Sequence, residues 1–214
     1  MIQKPNDDHA SGGVYETGVI EPSQRHCFAI LVNNEPGILA RVVGMFSGRG
    51  YNIESLTVDE VDSENKLSRI TIVTIGSPMI IEQIKAQLGR LVPVRQVINL
   101  NAQGQFIESC VAFVKVIGDP ETVLTEAKLI ARKYGARLVD QTGNAIIFEI
   151  TSDFDQIDRF IEKVRPYGLA EIARTGSVAI ACGDAVLGEQ KTGDGKGKSK
   201  DILTSDAGHT ISGI

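Results

Sequence analysis

The stretch Asn33-Asn34-Glu35-Pro36-Gly37-Ile38-Leu39 holds the residue types best suited to grip a small charged molecule. It leaves an alternating apolar segment and enters a helical one. The free backbone N–H groups of a helix start favour an anion such as a carboxylate. Gly37 has no Cβ to keep a ligand from the backbone. Asn34 offers both a donor and an acceptor, which suits a zwitterion carrying an ammonium and a carboxylate. The Pro36-Gly37 pair also serves simply to shape a strand-to-helix turn, and the residues taken alone favour that simpler role. A second polar stretch, Arg49-Gly50-Tyr51-Asn52-Ile53-Glu54-Ser55-Leu56, joins a helix to a strand, and its Asn52 and Glu54 read as turn chemistry. Arg41 and Arg49 could pair with acids of a partner protein; singly, each fits a solvated helix face.

Catalytic chemistry finds little to stand on. Cys27, Cys110 and Cys182 lie far apart with no CxxC pair, and read as free thiols of a reducing cytosol. His9 and His209 sit in polar end segments, and His26 precedes a strand. No HExxH, His–Cys ligand spacing or Asp–Gly calcium loop occurs, so no metal site is expected. No Ser or Cys has an identifiable base, and no carboxylate pair sits in an apolar setting. The segment GDGKGKSK resembles a phosphate-binding loop but lacks the GxxxxGK[ST] spacing, and no apolar strand feeds it.

The 214 residues suffice for one or two small domains. A net charge of −5 argues against a nucleic-acid binder, which needs a basic face. No run of 18 apolar residues exists, which excludes a membrane-spanning helix. The absence of Trp and a 5% aromatic content disfavour a groove for sugars or bases. The start lacks the basic and apolar regions of a secretory leader, and Asp7, Asp8, Glu16 and Glu21 disfavour an organelle transit peptide. A cytoplasmic protein is therefore expected. Residues 1–24 and 188–214 mix Gly, Ser, Asp and Lys without apolar periodicity, and are expected to be a flexible extension and a disordered tail.

Between these ends the apolar period switches repeatedly between 2 and 3.6. Phe28 to Val32 reads as a strand. Leu39, Val42, Val43 and Phe46 form one helix face, ended by Gly48-Arg49-Gly50. Tyr51 to Val61 and Leu67 to Ile75 read as strands around a polar turn. Pro78 opens a helix with Ile81, Ile84, Leu88 and Leu91 on one face, and Val94 to Leu100 closes the unit. The order then repeats: a strand from Ser109 to Ile117, and a helix started by Asp119-Pro120 with Val123, Ala127, Ile130 and Tyr134 inward. A hairpin follows over Ala136–Gln141 and Ala145–Ile150. A helix capped by Ser152 or Asp153 carries Phe154, Ile157, Ile161 and Val164, and Leu169 to Arg174 is the last strand of the unit. Val178 to Ala181 is an extra strand or an extended return. The fold class is α+β, with two ferredoxin-like βαββαβ units over 27–101 and 109–174, set in domains of 25–104 and 105–187. Units this small leave a sheet face or edge to cover, so pairing with a like unit is expected.

The strings NNEPGILARVVGMFSGRGYNIESLTV and LSRITIVT, with ARTGSVAIACGD near the end, resemble the small regulatory subunits of acetolactate synthase (acetohydroxyacid synthase). The resemblance runs from about Arg25 to Leu187, and the first unit is similar to an ACT domain, a small-molecule sensor. It implies a chain with no catalytic residue and no cofactor of its own. Its partner is a large catalytic subunit that holds thiamine diphosphate, FAD and Mg and opens the pathway to valine, leucine and isoleucine. It implies activation of that subunit and feedback inhibition by valine or a related branched-chain amino acid. The implied effector site lies between the ACT domains of a homodimer, with Asn34, Gly37, Ile38 and Leu39 from one chain and Asn52 and Ile53 from the other. Ala40 stands where relatives often carry Ser, removing one hydroxyl. With this resemblance the ligand reading of the first loop overtakes the turn reading. A free-standing ACT-type sensor is the alternative function, with no helix-turn-helix pattern to support a transcriptional role; a catalytic role is a distant third.

Overall fold

A strand apolar on both faces has to be covered on both faces. In the first strand, β1 (Gln24–Asn33), Phe28, Ile30 and Val32 face one way and Cys27, Ala29 and Leu31 the other, and all six are buried. The computed structural model describes residues 22–188. It therefore leaves nearly all of the two sequence-read end segments outside the described residues. β1 is followed by α1 (Ile38–Ser47), β2 (Ser55–Asp62), β3 (Leu67–Gly76), α2 (Pro78–Leu88) and β4 (Val94–Asn99). The sheet is antiparallel with order β2-β3-β1-β4, so β2 and β4 are its edges. Both helices pack on one face, where Val42, Phe46, Ile81, Ile84 and Leu88 meet Phe28, Ile30, Ile70 and Ile72.

The inward face of α1 differs from the one read in the sequence. Ile38, Val42, Met45 and Phe46 are buried, whereas Leu39 and Val43 are 39% and 36% exposed. The helix carries two overlapping apolar stripes, and spacing alone does not say which one the sheet takes.

After a short helical turn, α3 (Leu100–Gln103), the second unit runs β5 (Phe106–Ile117), α4 (Val123–Tyr134), β6 (Arg137–Thr142), β7 (Ala145–Ser152), α5 (Phe154–Val164) and β8 (Leu169–Arg174). Its strand order, β6-β7-β5-β8, repeats that of the first. α4 begins at Val123, later than the Asp119-Pro120 start read from the sequence. The Asp119 carboxylate is taken up by a preceding turn, accepting from the N–H groups of Glu121 and Thr122 and from the Thr122 hydroxyl. The buried stripe of α4 is Leu124, Ala127 and Ala131, with Val123, Ile130 and Tyr134 at its margin. Of the two candidate caps for α5, Asp153 takes the role, accepting from the N–H of Gln156 at 2.7 Å.

A last strand, β9 (Val178–Ala181), pairs with the beginning of β5 from Phe106 to Ser109. It lays Ala179 on the helix-free face of the first sheet, against Cys27, Ala29, Val73, Ile98 and Leu100. The chain thus closes that face itself. The joint is polar at its rim: Arg69 donates to the Ala179 carbonyl, the Cys27 N–H donates to Asn101 Oδ1 at 2.8 Å, and Arg25 pairs with Glu108. The matching face of the second sheet stays open, and Phe113 and Ile117 are exposed there. Among the described residues, no helix is long and apolar enough to cross a membrane.

Candidate functional site

The loop between β1 and α1 is built from backbone hydrogen bonds to its neighbours. The Asn33 N–H donates to Pro93 O at 2.8 Å and the Asn34 N–H to Lys66 O at 2.7 Å. Gly37 then takes φ 84°, ψ 2°, a left-handed conformation that strongly favours glycine, and α1 starts directly after it. No side chain caps α1, and among the described residues the N–H groups of Leu39 and Ala40 make no hydrogen bond to the preceding loop. These groups are positive, directional and open, which is the chemistry that receives a carboxylate. Gly37 itself is exposed, and a Cβ there would meet nothing within 4 Å.

The site residues expected from the sequence separate in character. Asn34, Gly37 and Leu39 are exposed, while Ile38 is buried in the core of the first unit. Asn33, which sequence reasoning did not single out, is the pinned member of the pair. Its Oδ1 accepts from Arg95 Nε at 2.6 Å and its Nδ2 donates to Glu35 Oε1 at 3.3 Å. Arg95, 62 positions away, is hydrogen-bonded to this loop, and only the pairing of β4 with β1 could have revealed it. Asn34 makes no side-chain hydrogen bond among the described residues.

Asn52 is exposed, and its Nδ2 donates to Glu54 Oε1 at 2.6 Å. Its carbonyl accepts from the buried Thr74 hydroxyl at 2.6 Å, which fixes the backbone at this point. Ile53 is half-buried against the core of the first unit. Arg49 donates to Gln87 Oε1 at 3.0 Å, and Arg41 is exposed.

The two stretches lie at opposite ends of one sheet. Asn33 pairs with Leu67 on β3, whereas Asn52 is tied to Thr74, seven positions further along the same strand. At the rise of a β-strand this is about 23 Å. One chain does not bring them together.

The two buried thiols are poor nucleophiles. Burial pushes Cys27 up to about 12 and also raises Cys110. Among the described residues no group of three or more His, Cys, Asp or Glu side chains is placed to hold a metal.

Two family models match the chain. Residues 28–96 match the acetohydroxyacid synthase small subunit-like ACT domain, and residues 110–183 match the small subunit of acetolactate synthase. A probable acetolactate synthase small subunit of Archaeoglobus fulgidus is 39% identical over 160 residues, covering 75% of this chain and 98% of the relative. The chain belongs to the acetolactate synthase small-subunit family. The isozyme 3 small subunit of Escherichia coli is 35% identical over 76% of this chain and 99% of its own length. The crystal structure of the acetolactate synthase small subunit from Thermotoga maritima superposes with a TM-score of 0.68 at 31% identity, covering 76% of this chain and 99% of that one. The small-subunit match takes in the Thr175–Ala181 segment that joins the two units.

Proposed function

We propose that this chain is the regulatory subunit of acetolactate synthase. It binds and activates the thiamine-diphosphate-dependent catalytic subunit in the cytoplasm. It confers feedback inhibition by valine, with leucine and isoleucine as alternative effectors, on branched-chain amino-acid biosynthesis. Thiamine diphosphate, FAD and Mg belong to the catalytic subunit, and this chain contributes no catalytic residue.

The observation that carries the effector site is the separation of its two halves. A two-fold axis pairs edge strands antiparallel, so the Asn34 end of one protomer meets the Asn52 end of its partner. β2 is an edge strand of the first sheet, and Val58 and Val61 on it are exposed, as are Leu39 and Val43 on α1. A dimer through this flank buries those side chains and completes the site twice. The effector carboxylate then lies on the open N–H groups at the start of α1, beside Gly37. Asn34 meets the ammonium, and Leu39 with Ile53 of the partner subunit receives the branched side chain. Ile38 supports the loop from below.

The test is reconstitution with the large subunit. Activity is expected to rise on adding this chain and to fall on adding valine, with leucine and isoleucine run in parallel. A chain that neither activates nor co-purifies with the large subunit would return the protein to the class of free-standing sensors.

A further inference from the structure

The segment Thr175-Gly176-Ser177 plays no part in the effector reading, yet it lies against the strand that leaves the Asn52-Ile53 stretch. Ser177 is fully buried. Its N–H donates to Ser55 Oγ at 2.7 Å, and its carbonyl accepts from Thr57 Oγ1 at 2.7 Å. Its hydroxyl donates to the carboxylate of Glu108, which Arg25 holds with both terminal guanidinium nitrogens. Gly176 passes so close to β2 that a Cβ would stand 2.7 Å from the Leu56 carbonyl oxygen. At the other end, Thr175 exchanges hydrogen bonds with the backbone of Val111 on β5, at 2.9 and 3.1 Å. The segment is a strap tied to the second unit at Val111 and to the first residues of β2 at Ser55 and Thr57.

We propose that Thr175–Ser177 is a positioning strap for the Asn52-Ile53 half of the effector site, so that the second unit sets effector affinity. The inference rests on the effector reading given above. β2 is an edge strand with β3 on one side only. Thr74 holds the Asn52 carbonyl from β3, and the Glu54 N–H reaches Val73 O on the same strand at 2.8 Å. The strap adds a second restraint to that of β3, and it does so from a different unit. Coupling between sites is reciprocal, so an effector that tightens Asn52-Ile53 also biases the strap and the second unit behind it. Ser177, Thr57 and Gly176 act through the half-site and do not touch the effector.

Titration calorimetry of the full chain with valine, leucine and isoleucine tests this, with Tm measured on the same preparations. Thr57→Val keeps the shape and removes the hydroxyl bond to the strap, while Thr57→Ser keeps the hydroxyl. Thr57→Val is expected to weaken valine roughly three- to tenfold, the worth of one net hydrogen bond, and Thr57→Ser to bind as wild type. Gly176→Ala, which forces the strap away from Leu56, is expected to weaken valine at least as much. A lower Tm with unchanged affinity in Thr57→Val and Gly176→Ala would mean that the strap is structural only and would overturn the inference, leaving the effector site intact. No binding of any of the three amino acids to the wild-type chain would overturn both. If Thr57→Val melts below the assay temperature, Ser55→Ala is read in its place. It removes the bond that the Ser177 N–H makes to β2, with the same direction expected and equal affinity overturning the idea.

Discussion

Gly37→Asp set beside Gly37→Asn isolates the effect of a negative charge at the proposed carboxylate site. Both replacements meet the same backbone, φ 84° and ψ 2°, where an L-residue is strained by roughly 1–2 kcal/mol and Asn and Asp are the best tolerated. Neither meets a steric clash, since nothing lies within 4 Å of a Cβ there. The common cost is therefore backbone strain alone, expected to lower Tm by about 2–4 °C for each kcal/mol. What separates the two variants is the charge. A carboxylate about 4 Å from the effector carboxylate repels it by roughly 1 kcal/mol in bulk water and roughly 4 kcal/mol under a partner's cover. These correspond to about fivefold and about a thousandfold in Kd. In the single chain Gly37 is exposed, so the Asp-to-Asn ratio of valine Kd values reports whether a second protomer roofs the site. A ratio above fivefold is expected by titration calorimetry, with valine inhibition lost and activation kept in the reconstituted enzyme. A folded Gly37→Asp variant that binds valine and is inhibited like wild type would refute the placement of the carboxylate. Loss of activation together with inhibition would point to misfolding or failed dimerisation.

Asn34→Ala should weaken valine less than Gly37→Asp, because it removes hydrogen bonds of about 0.5–1.5 kcal/mol each without adding a charge; calorimetry on the two variants orders them. In the native chain one thiol should react quickly with a chromogenic disulfide and three in urea, since Cys182 is exposed while Cys27 and Cys110 are buried. Burial works to raise the Glu108 carboxyl, but hydrogen bonds from Arg25 and Ser177 outweigh it and hold it below its ordinary value of 4.5. A carboxylate depressed in the folded state contributes stability above that pH and loses it as pH falls through the folded value. The Tm gap between wild type and Glu108→Gln should therefore be widest above pH 4.5 and close on acidification.

Local periodicity was enough for the two βαββαβ units, because each helix and strand announces itself within a few residues. The sequence missed what depends on partners far along the chain. β1 reads as Phe28–Val32 but runs from Gln24 to Asn33, because pairing with β3 extends along its whole length. β5 begins at Phe106 only because β9 pairs with its first residues. Val178–Ala181, ambiguous as a lone apolar run, acquires its meaning from Cys27, Ala29 and Val73. In the loop, Gly37 was legible as the residue of a strand-to-helix turn. Its positive φ was not, nor was the Arg95 contact that fixes Asn33. Leu39 and Val43 satisfied the helix period as well as the true core residues did, and only the packing shows that they face outward.

The lid that β9 places on the first sheet is also a matter of timing. The first sheet is complete once Asn99 has been made, yet Ala179 and Ala181, which help to close its apolar face, follow only after the whole second unit. A ribosome adding about 5–20 residues per second needs roughly 4–16 s to cover that interval. Throughout it, Cys27, Ala29, Val73 and Ile98 lack the cover that Ala179 and Ala181 supply to an otherwise folded nascent unit. A chaperone or a neighbouring nascent chain has that long to find it. Slow codons between residues 100 and 181 would lengthen the exposure, and aggregation yield in cell-free synthesis should rise with them.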